Sequence, residues 1–178
     1  MQLTRWIEEG QSAWSELLVV PEWEDKSYYN KHGWHGSDLI HDKDSPVRVM
    51  DYFVQYAEDN KGVGTTLRGI AHFTARSESH AGYCHGGSMT SLLDDVIGWV
   101  SFLVTGKCIP WSGYTVQINT SLKKPIAVNS VLLVQAVISN VHNRKVHVNA
   151  TILDPENDVV HTQGDGLVIL NSGVISET

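Results

Sequence analysis

The stretch HGGSMTSLLDDVIGWVSFLV, residues 85–104, decides the fold of this 178-residue chain. Its apolar side chains recur at the i, i+3, i+4, i+7 spacing of one helical face; they are Met89, Leu92, Leu93, Val96, Ile97, Val100, Leu103 and Val104. This spacing predicts a long helix whose apolar stripe is buried. At about 100° per residue, Gly87, Asp94 and Gly98 fall together away from that stripe. The sequence therefore predicts a carboxylate on a face clear of large side chains.

The helix is expected to begin at Gly86 and Gly87. Glycines at a helix start leave the first amide N–H groups uncovered, at the positive end of the helix dipole. Such groups can donate hydrogen bonds to an anion or to a carbonyl oxygen. The start of the helix is therefore a candidate binding site for either kind of acceptor.

Strands are predicted on both sides of this helix, because the hydrophobic period changes to two. Residues 51–57 and 65–74 form a hairpin around the turn 59–64, and residues 114–122 form a strand with one apolar and one polar face. Three further strands are predicted at 131–139, 145–153 and 159–170. Short connections favour antiparallel pairing, and one long helix can bury its stripe only against that sheet. The predicted fold class is α+β.

Residues 1–49 differ in composition from the rest of the chain. They hold four of the six tryptophans: Trp6, Trp14, Trp23 and Trp34. The spacing of apolar residues before Pro21 predicts two short helices followed by a loop. This N-terminal helical extension is either an apolar cover packed on the main domain or a lid over an apolar substrate channel. The predicted domains are residues 1–49 and residues 50–172.

Composition limits the classes of partner. A net charge of −7 argues against broad affinity for nucleic acid or anionic membranes. No run of apolar residues is long enough to predict a membrane span. Two cysteines suit a reducing compartment, so a cytoplasmic protein is expected, or an organellar one if a leader is removed. No set of side chains has metal-ligand spacing, and no metal is expected.

The ordered set of motifs resembles the hotdog-fold acyl-CoA thioesterases, in particular the eukaryotic thioesterase-superfamily group. The set is His85-Gly86-Gly87, Asp94 nine residues after the histidine, and Thr115 ten residues before Pro125. The resemblance covers about residues 50–170. It implies a hotdog fold, in which an antiparallel sheet wraps around one long central helix. It also implies a homodimer or a dimer of dimers with active sites at the subunit interface.

The resemblance implies a role in fatty acid metabolism, the hydrolysis of acyl-CoA to fatty acid and CoA. If the tryptophan-rich block at residues 1–49 roofs a long channel, medium- to long-chain acyl groups are expected. Coenzyme A is then part of the substrate, and no separate cofactor is expected. Asp94 would act as general base or as nucleophile, while the N–H groups of Gly86 and Gly87 would bind the oxyanion. Thr115 would hold the water or the carboxylate. His85 would position the loop or the thioester, and the alternative is that it only caps the helix.

The spacing along the helix constrains this chemistry. Asp94 lies seven residues after Gly87, which is about 10.5 Å at about 1.5 Å per residue. This distance is too long for both to serve one carbonyl carbon. Either the two groups come from different subunits or one of them is not catalytic, and the resemblance favours the first.

Basic residues at two turns are candidates for binding the nucleotide phosphates of CoA: Lys123, Lys124, Arg144 and Lys145. The alternative is that they only keep these turns soluble. Two other functions stay open. One is a hotdog hydratase or dehydratase, for which Glu78 and His80 are a weak catalytic pair. The other is a non-catalytic acyl-CoA-binding protein.

Overall fold

The computed structural model describes residue 8, residues 15–17, residue 33, residues 39–58 and residues 62–175. The helix predicted around Met89 is α1, Gly86–Ser101. The strands are β1 (Ser15–Glu16), β2 (Val47–Gln55), β3 (Thr66–Phe73), β4 (Glu78–His80), β5 (Tyr83–Cys84), β6 (Gly113–Leu122), β7 (Ser130–His142), β8 (Lys145–Leu153) and β9 (Val160–Leu170). One 3₁₀ turn, Ala75–Ser77, follows β3.

Seven of these strands form one antiparallel sheet in the order β1-β2-β3-β7-β8-β9-β6. Strands β4 and β5 form a separate small hairpin just before α1. The predicted strands, their antiparallel pairing and the single long helix among the described residues are confirmed. The fold is an antiparallel sheet wrapped around α1, as in hotdog proteins.

Helix α1 lies on the inner face of the sheet and buries the predicted apolar stripe. Two glycines of β9 allow the close approach: a Cβ on Gly164 would meet Leu93 Cδ1 at 3.1 Å, and one on Gly166 would meet Ile97 Cγ2 at 2.8 Å. Leu93 and Ile97 are one turn apart and lie over successive inward positions of β9. Helix α1 therefore runs in the same direction as β9.

The second predicted N-terminal helix is wrong at Ser15 and Glu16. These residues form β1, where they pair with Val54 and Phe53 of β2, and the next N–H, of Leu17, donates to the Tyr52 carbonyl at 2.8 Å. The edge of β2 offers backbone N–H and C=O groups that need hydrogen-bond partners. Pairing with them stabilises an extended conformation more than a short apolar pattern stabilises a helix. Glu8 is helical, while Trp6, Trp14, Trp23 and Trp34 lie outside the described residues.

Residues 39–46, which lead into β2, form a segment that we call the strap. Its His41 is buried, with 1% of its surface exposed, and its Nε2 lies 3.0 and 3.1 Å from the two carboxylate oxygens of Asp95 on α1. Tyr52 of β2 donates its hydroxyl hydrogen to the same carboxylate at 2.5 Å. Asp95 therefore ties the strap and β2 to the central helix.

The predicted faces of β6 are only partly correct: Ile118 packs against the core as predicted, but other residues of the apolar face do not. Tyr114, Val116 and Leu122 are exposed at 61%, 48% and 54%, although the alternation put them on the apolar face. Two features explain this. A β-bulge skips Val116 and shifts the side-chain alternation, and β6 pairs only with β9 among the described residues, so it forms an edge of the sheet.

Within the described part of the chain, no helix is long and apolar enough to cross a lipid bilayer.

Candidate active site

The predicted open face of α1 is present. Gly87 and Asp94 are exposed, and a Cβ on Gly98 would meet no atom within 4 Å. No donor among the described residues hydrogen-bonds to the Asp94 carboxylate. Asp94 is thus a solvent-accessible carboxylate with its full capacity to accept protons or hydrogen bonds.

Asp95 has the opposite environment. Its side chain is 15% exposed, and it accepts hydrogen bonds from His41 and Tyr52. A carboxylate held by two buried side chains has a structural role, because moving it would leave their donors without this acceptor. The two adjacent aspartates therefore divide into one available carboxylate and one structural carboxylate.

His85 is the N-cap of α1. Its Nδ1 accepts the Gly87 N–H at 2.8 Å. A ring nitrogen that accepts a hydrogen bond carries no hydrogen, so this geometry assigns the hydrogen of the neutral ring to Nε2. This bond engages the Gly87 N–H. The neighbouring Gly86 N–H has no hydrogen-bond acceptor among the described residues.

Thr115 does not lie beside Asp94 within one chain. Thr120 of β6 pairs with Gly164, the residue under Leu93, whereas Thr115 pairs with Val168 farther along β9. Thr115 and Thr120 are five residues apart along β6, about 16.5 Å at about 3.3 Å per residue. Gly86, by contrast, lies at the other end of β6, where an added Cβ would meet Leu122 Cδ1 at 2.6 Å.

The four basic residues form two separate pairs. The N–H groups of Lys123 and Lys124 donate to the His161 carbonyl at the start of β9. Arg144 donates to the Leu170 carbonyl at the end of β9, and Lys145 pairs with its neighbour there. Eight residues of extended strand separate the two ends by about 26 Å. One phosphate group cannot contact both pairs within a single chain.

A cavity of about 340 Å³ lies beside the first two turns of α1. The strap supplies one wall, with Leu39 and Ile40, and the helix start supplies another, with His85, Gly87 and Ser91. Ser91 precedes Asp94 by three residues, so both lie on the same side of α1. The cavity therefore opens along the face that carries the available carboxylate.

Cys84, next to His85, is a poor nucleophile. The side chain is 7% exposed. Burial raises the pKa of its thiol above the ordinary value of 9.0; the hydrogen bond with Ser77 opposes this rise, and the charge of Glu78 adds to it. Because the thiolate is the reactive form, this environment keeps the sulfur unreactive at neutral pH.

Sequence reasoning missed the His41–Asp95–Tyr52 contact. Its partners are 54 and 43 residues apart, and no local pattern marks such a contact. The doublet of aspartates was the one available signal, since two adjacent residues of a helix point about 100° apart and so meet different surroundings.

The fold and the open-faced helix define a hotdog domain, and comparison with known proteins agrees. The family model of the thioesterase superfamily matches residues 81–161, which include α1 and the residues from β5 to the start of β9. The predicted resemblance to this superfamily is therefore confirmed.

Relatives and solved structures extend the comparison. The acyl-coenzyme A thioesterase THEM4 of Rattus norvegicus is 26% identical over 122 residues, which cover 67% of this chain and 48% of the rat protein. The chain thus spans about half the length of this curated relative. Zebrafish thioesterase superfamily member 2 superposes with a TM-score of 0.56 at 16% identity, covering 71% of this chain and 83% of that one.

A third similar protein is smu.793 of Streptococcus mutans, solved bound to acetyl CoA. It superposes with a TM-score of 0.53 at 18% identity, covering 66% of this chain and 88% of that one. At these identities the structural neighbours establish the hotdog fold.

Proposed function

We propose that this protein is an acyl-CoA thioesterase that hydrolyses medium- to long-chain acyl-CoA to a fatty acid and CoA. The observation that carries the proposal is the pairing, on one helix, of an available carboxylate with an available N-terminal amide. Asp94 supplies the carboxylate and Gly86 the amide. The thioesterase name of the rat relative and the acetyl CoA bound to the streptococcal protein support the same substrate class.

The Gly86 N–H donates to the thioester carbonyl oxygen and to the oxyanion that forms from it. It lies at the positive end of the α1 dipole, which favours the developing negative charge. Asp94 either removes a proton from the attacking water or attacks the carbonyl carbon itself. His85 holds the helix start in place through Nδ1 and lines the cavity, where its ring can orient the thioester.

The proposal includes a homodimer, because Gly86 and Asp94 are eight residues apart on one helix, about 12 Å at about 1.5 Å per residue. The edge of β6 supports dimerisation. Among the described residues β6 pairs only with β9, and its exposed Tyr114 and Val116 favour pairing with a second copy. Each site would then combine Gly86 of one subunit with Asp94 of the other.

Antiparallel pairing of two β6 strands would place the start of one beside the end of the other. Thr115 of one chain would then approach the Gly86 end of its partner. Arg144 and Lys145, which lie near the start of β6, would approach the partner's Lys123 and Lys124. The two basic pairs that are far apart in one chain would thus contribute to one CoA-binding surface in the dimer.

The test is thiol release from decanoyl-CoA and palmitoyl-CoA by the wild type and by Asp94→Asn. We expect release by the wild type and a loss of at least about a hundredfold in the variant, the usual contribution of a general base. Asp165→Asn is the matched control, because Asp165 is an exposed carboxylate on the outer face of the sheet. It should retain wild-type turnover.

Each alternative gives a different result. Consumption of enoyl-CoA without thiol release indicates a hydratase, although the Glu78 carboxylate already accepts the Gly82 N–H at 2.6 Å. Binding of acyl-CoA without turnover indicates a non-catalytic binding protein. Full activity of Asp94→Asn would contradict the proposed mechanism.

A further inference from the structure

The cavity beside α1 has one wall that is apolar. The strap and the start of β2 supply this wall through Leu39, Ile40, Pro46 and Val47. Ile40 and Val47 are almost fully buried, so their positions are fixed by the core. Leu39 is 57% exposed and lies at the mouth of the cavity.

The opposite wall carries serines whose hydroxyl groups already bond to the backbone. Ser77, Ser88 and Ser91 donate to the carbonyl oxygens of Thr74, His85 and Gly87 at 2.6, 2.6 and 2.9 Å. A hydroxyl has one hydrogen to donate, so these groups have none left for a ligand. The serine wall therefore offers no free hydroxyl hydrogen to an acceptor such as a phosphate oxygen.

The charged residues at the rim are also engaged. Arg76 forms an ion pair with Asp44 of the strap at 3.4 Å, and Glu78 accepts the Gly82 N–H at 2.6 Å. Each of these two charged side chains thus has a partner among the described residues. The chemistry of the walls favours a hydrocarbon.

The cavity also lies where a substrate's hydrocarbon should be. His85 and Gly87 line it, next to the proposed amide donor Gly86. Lys123 and Lys124 lie on another side of Gly86, beyond Leu122. A thioester with its carbonyl at Gly86 would direct CoA toward the lysines and its acyl chain toward the cavity.

We propose that this cavity binds the acyl chain of the substrate and that the strap determines which chain lengths fit. The inference rests on the proposed function, since it names the acyl site of the same reaction. A volume of about 340 Å³ holds roughly ten non-hydrogen atoms at about 30 Å³ each. The preferred acyl group is therefore of medium length, near ten carbons.

The contact between His41 and Asp95 gives the strap a fixed position. His41 lies between Ile40 and the rest of the strap, and it is bonded to a helix that also forms the opposite wall. The width of the cavity is thus set by a buried hydrogen bond rather than by a mobile loop. A fixed width is what discrimination between chain lengths requires.

The experiment compares binding of CoA and of its S-decyl thioether, which cannot be hydrolysed, by isothermal titration calorimetry. Each buried methylene strengthens binding about fourfold, so even partial burial predicts at least about a hundredfold tighter binding of the thioether to the wild type. Ser91→Leu adds two non-hydrogen atoms inside the cavity. It should reduce this advantage about tenfold, the effect of about two methylenes.

Ser139→Leu is the matched control. Ser139 also donates to a backbone carbonyl, that of His147, but it lies exposed on β7. This variant should bind the thioether more tightly than CoA by the same factor as the wild type. Thiol release from butanoyl-CoA and decanoyl-CoA is measured in parallel, and the preference for decanoyl-CoA should fall about tenfold in Ser91→Leu.

Equal binding of CoA and the thioether by the wild type would overturn the inference, without any variant. The inference would also be overturned if folded Ser91→Leu bound the thioether more tightly than CoA by the same factor as the wild type. Thiol release that is independent of acyl chain length, with equal binding of CoA and the thioether, would refute the acyl site while leaving the proposed function intact. Tail-dependent binding without thiol release would support the acyl site and refute the proposed function.

Discussion

Asp94 and Asp95 are adjacent on α1, and we expect Asp95→Ala to lose stability and Asp94→Ala to lose activity. Asp95→Ala removes an acceptor from His41 and Tyr52, each about 1% exposed. Loss of the partner of a buried donor costs about 1–3 kcal/mol, so the two together predict about 2–6 kcal/mol. For a domain of this size the melting temperature should fall by roughly 5–15 °C. Asp94→Ala changes an exposed side chain and should leave the melting temperature within about 2 °C of the wild type.

The assay is thermal unfolding by circular dichroism, combined with thiol release from butanoyl-CoA at 25 °C. Asp95→Ala should retain most of its turnover at a temperature where it is folded, whereas Asp94→Ala should lose it. A wild-type melting temperature in Asp95→Ala would refute the structural role of the His41–Asp95–Tyr52 contact. Loss of turnover in folded Asp95→Ala, with activity retained in Asp94→Ala, would refute the division of roles.

Three further outcomes are expected. Arg144→Ala combined with Lys145→Ala should raise KM for acyl-CoA about tenfold and change kcat little, because in the proposed site these cations contact the nucleotide and not the reacting atoms; an unchanged KM would contradict the assignment. Val116→Lys should shift size-exclusion chromatography toward monomer and abolish turnover, since a lysine on an exposed strand edge opposes pairing; an active monomer would contradict the shared site. Burial raises the pKa of Cys84 and of Tyr56, so the folded chain holds these protons more tightly than the unfolded chain. Stability to urea should therefore fall as the pH rises past 9.0, the ordinary thiol value, and fall less steeply in Cys84→Ala.

Much of the fold could be predicted from local patterns. The stripe from Met89 to Val104 has the helical period, and the alternation of Val146, Val148 and Ala150 places one face of β8 in the core. Both patterns mark the buried face of an element, because buried side chains recur about every 3.6 residues in a helix and every second residue in a strand. The open face at Asp94 followed from the same geometry.

The errors occurred where a distant contact overrides the local pattern. Ser15 and Glu16 are extended because the edge of β2 offers hydrogen bonds, and Val116 is exposed because it lies in a bulge of β6, at the edge of the described sheet. Nothing in the sequence around His41 indicates Asp95, 54 residues away. The positions of the basic pairs also depend on strand pairing, which the turns alone do not reveal.

Gly86 offers a clean way to remove the proposed oxyanion donor. It is the first residue of α1, a position where proline is favoured, and the preceding His85 has φ −65° and ψ 137°, which proline tolerates in its neighbour. Gly86→Pro therefore deletes the N–H while preserving the helix. Gly86→Ala is the matched control, since it retains the N–H and brings a Cβ to the same exposed Leu122. We expect Gly86→Pro to be inactive and Gly86→Ala to be active.

The most direct test of a site shared between subunits is complementation of Asp94→Asn by Gly86→Pro. The two inactive proteins are unfolded together, refolded as an equal mixture and assayed for thiol release from decanoyl-CoA. In random dimers, half the molecules pair the two variants, and each such dimer has one site with both groups intact, which predicts about a quarter of wild-type activity. If Gly86 and Asp94 act from the same chain, no dimer has an intact site, and an inactive mixture would contradict the account.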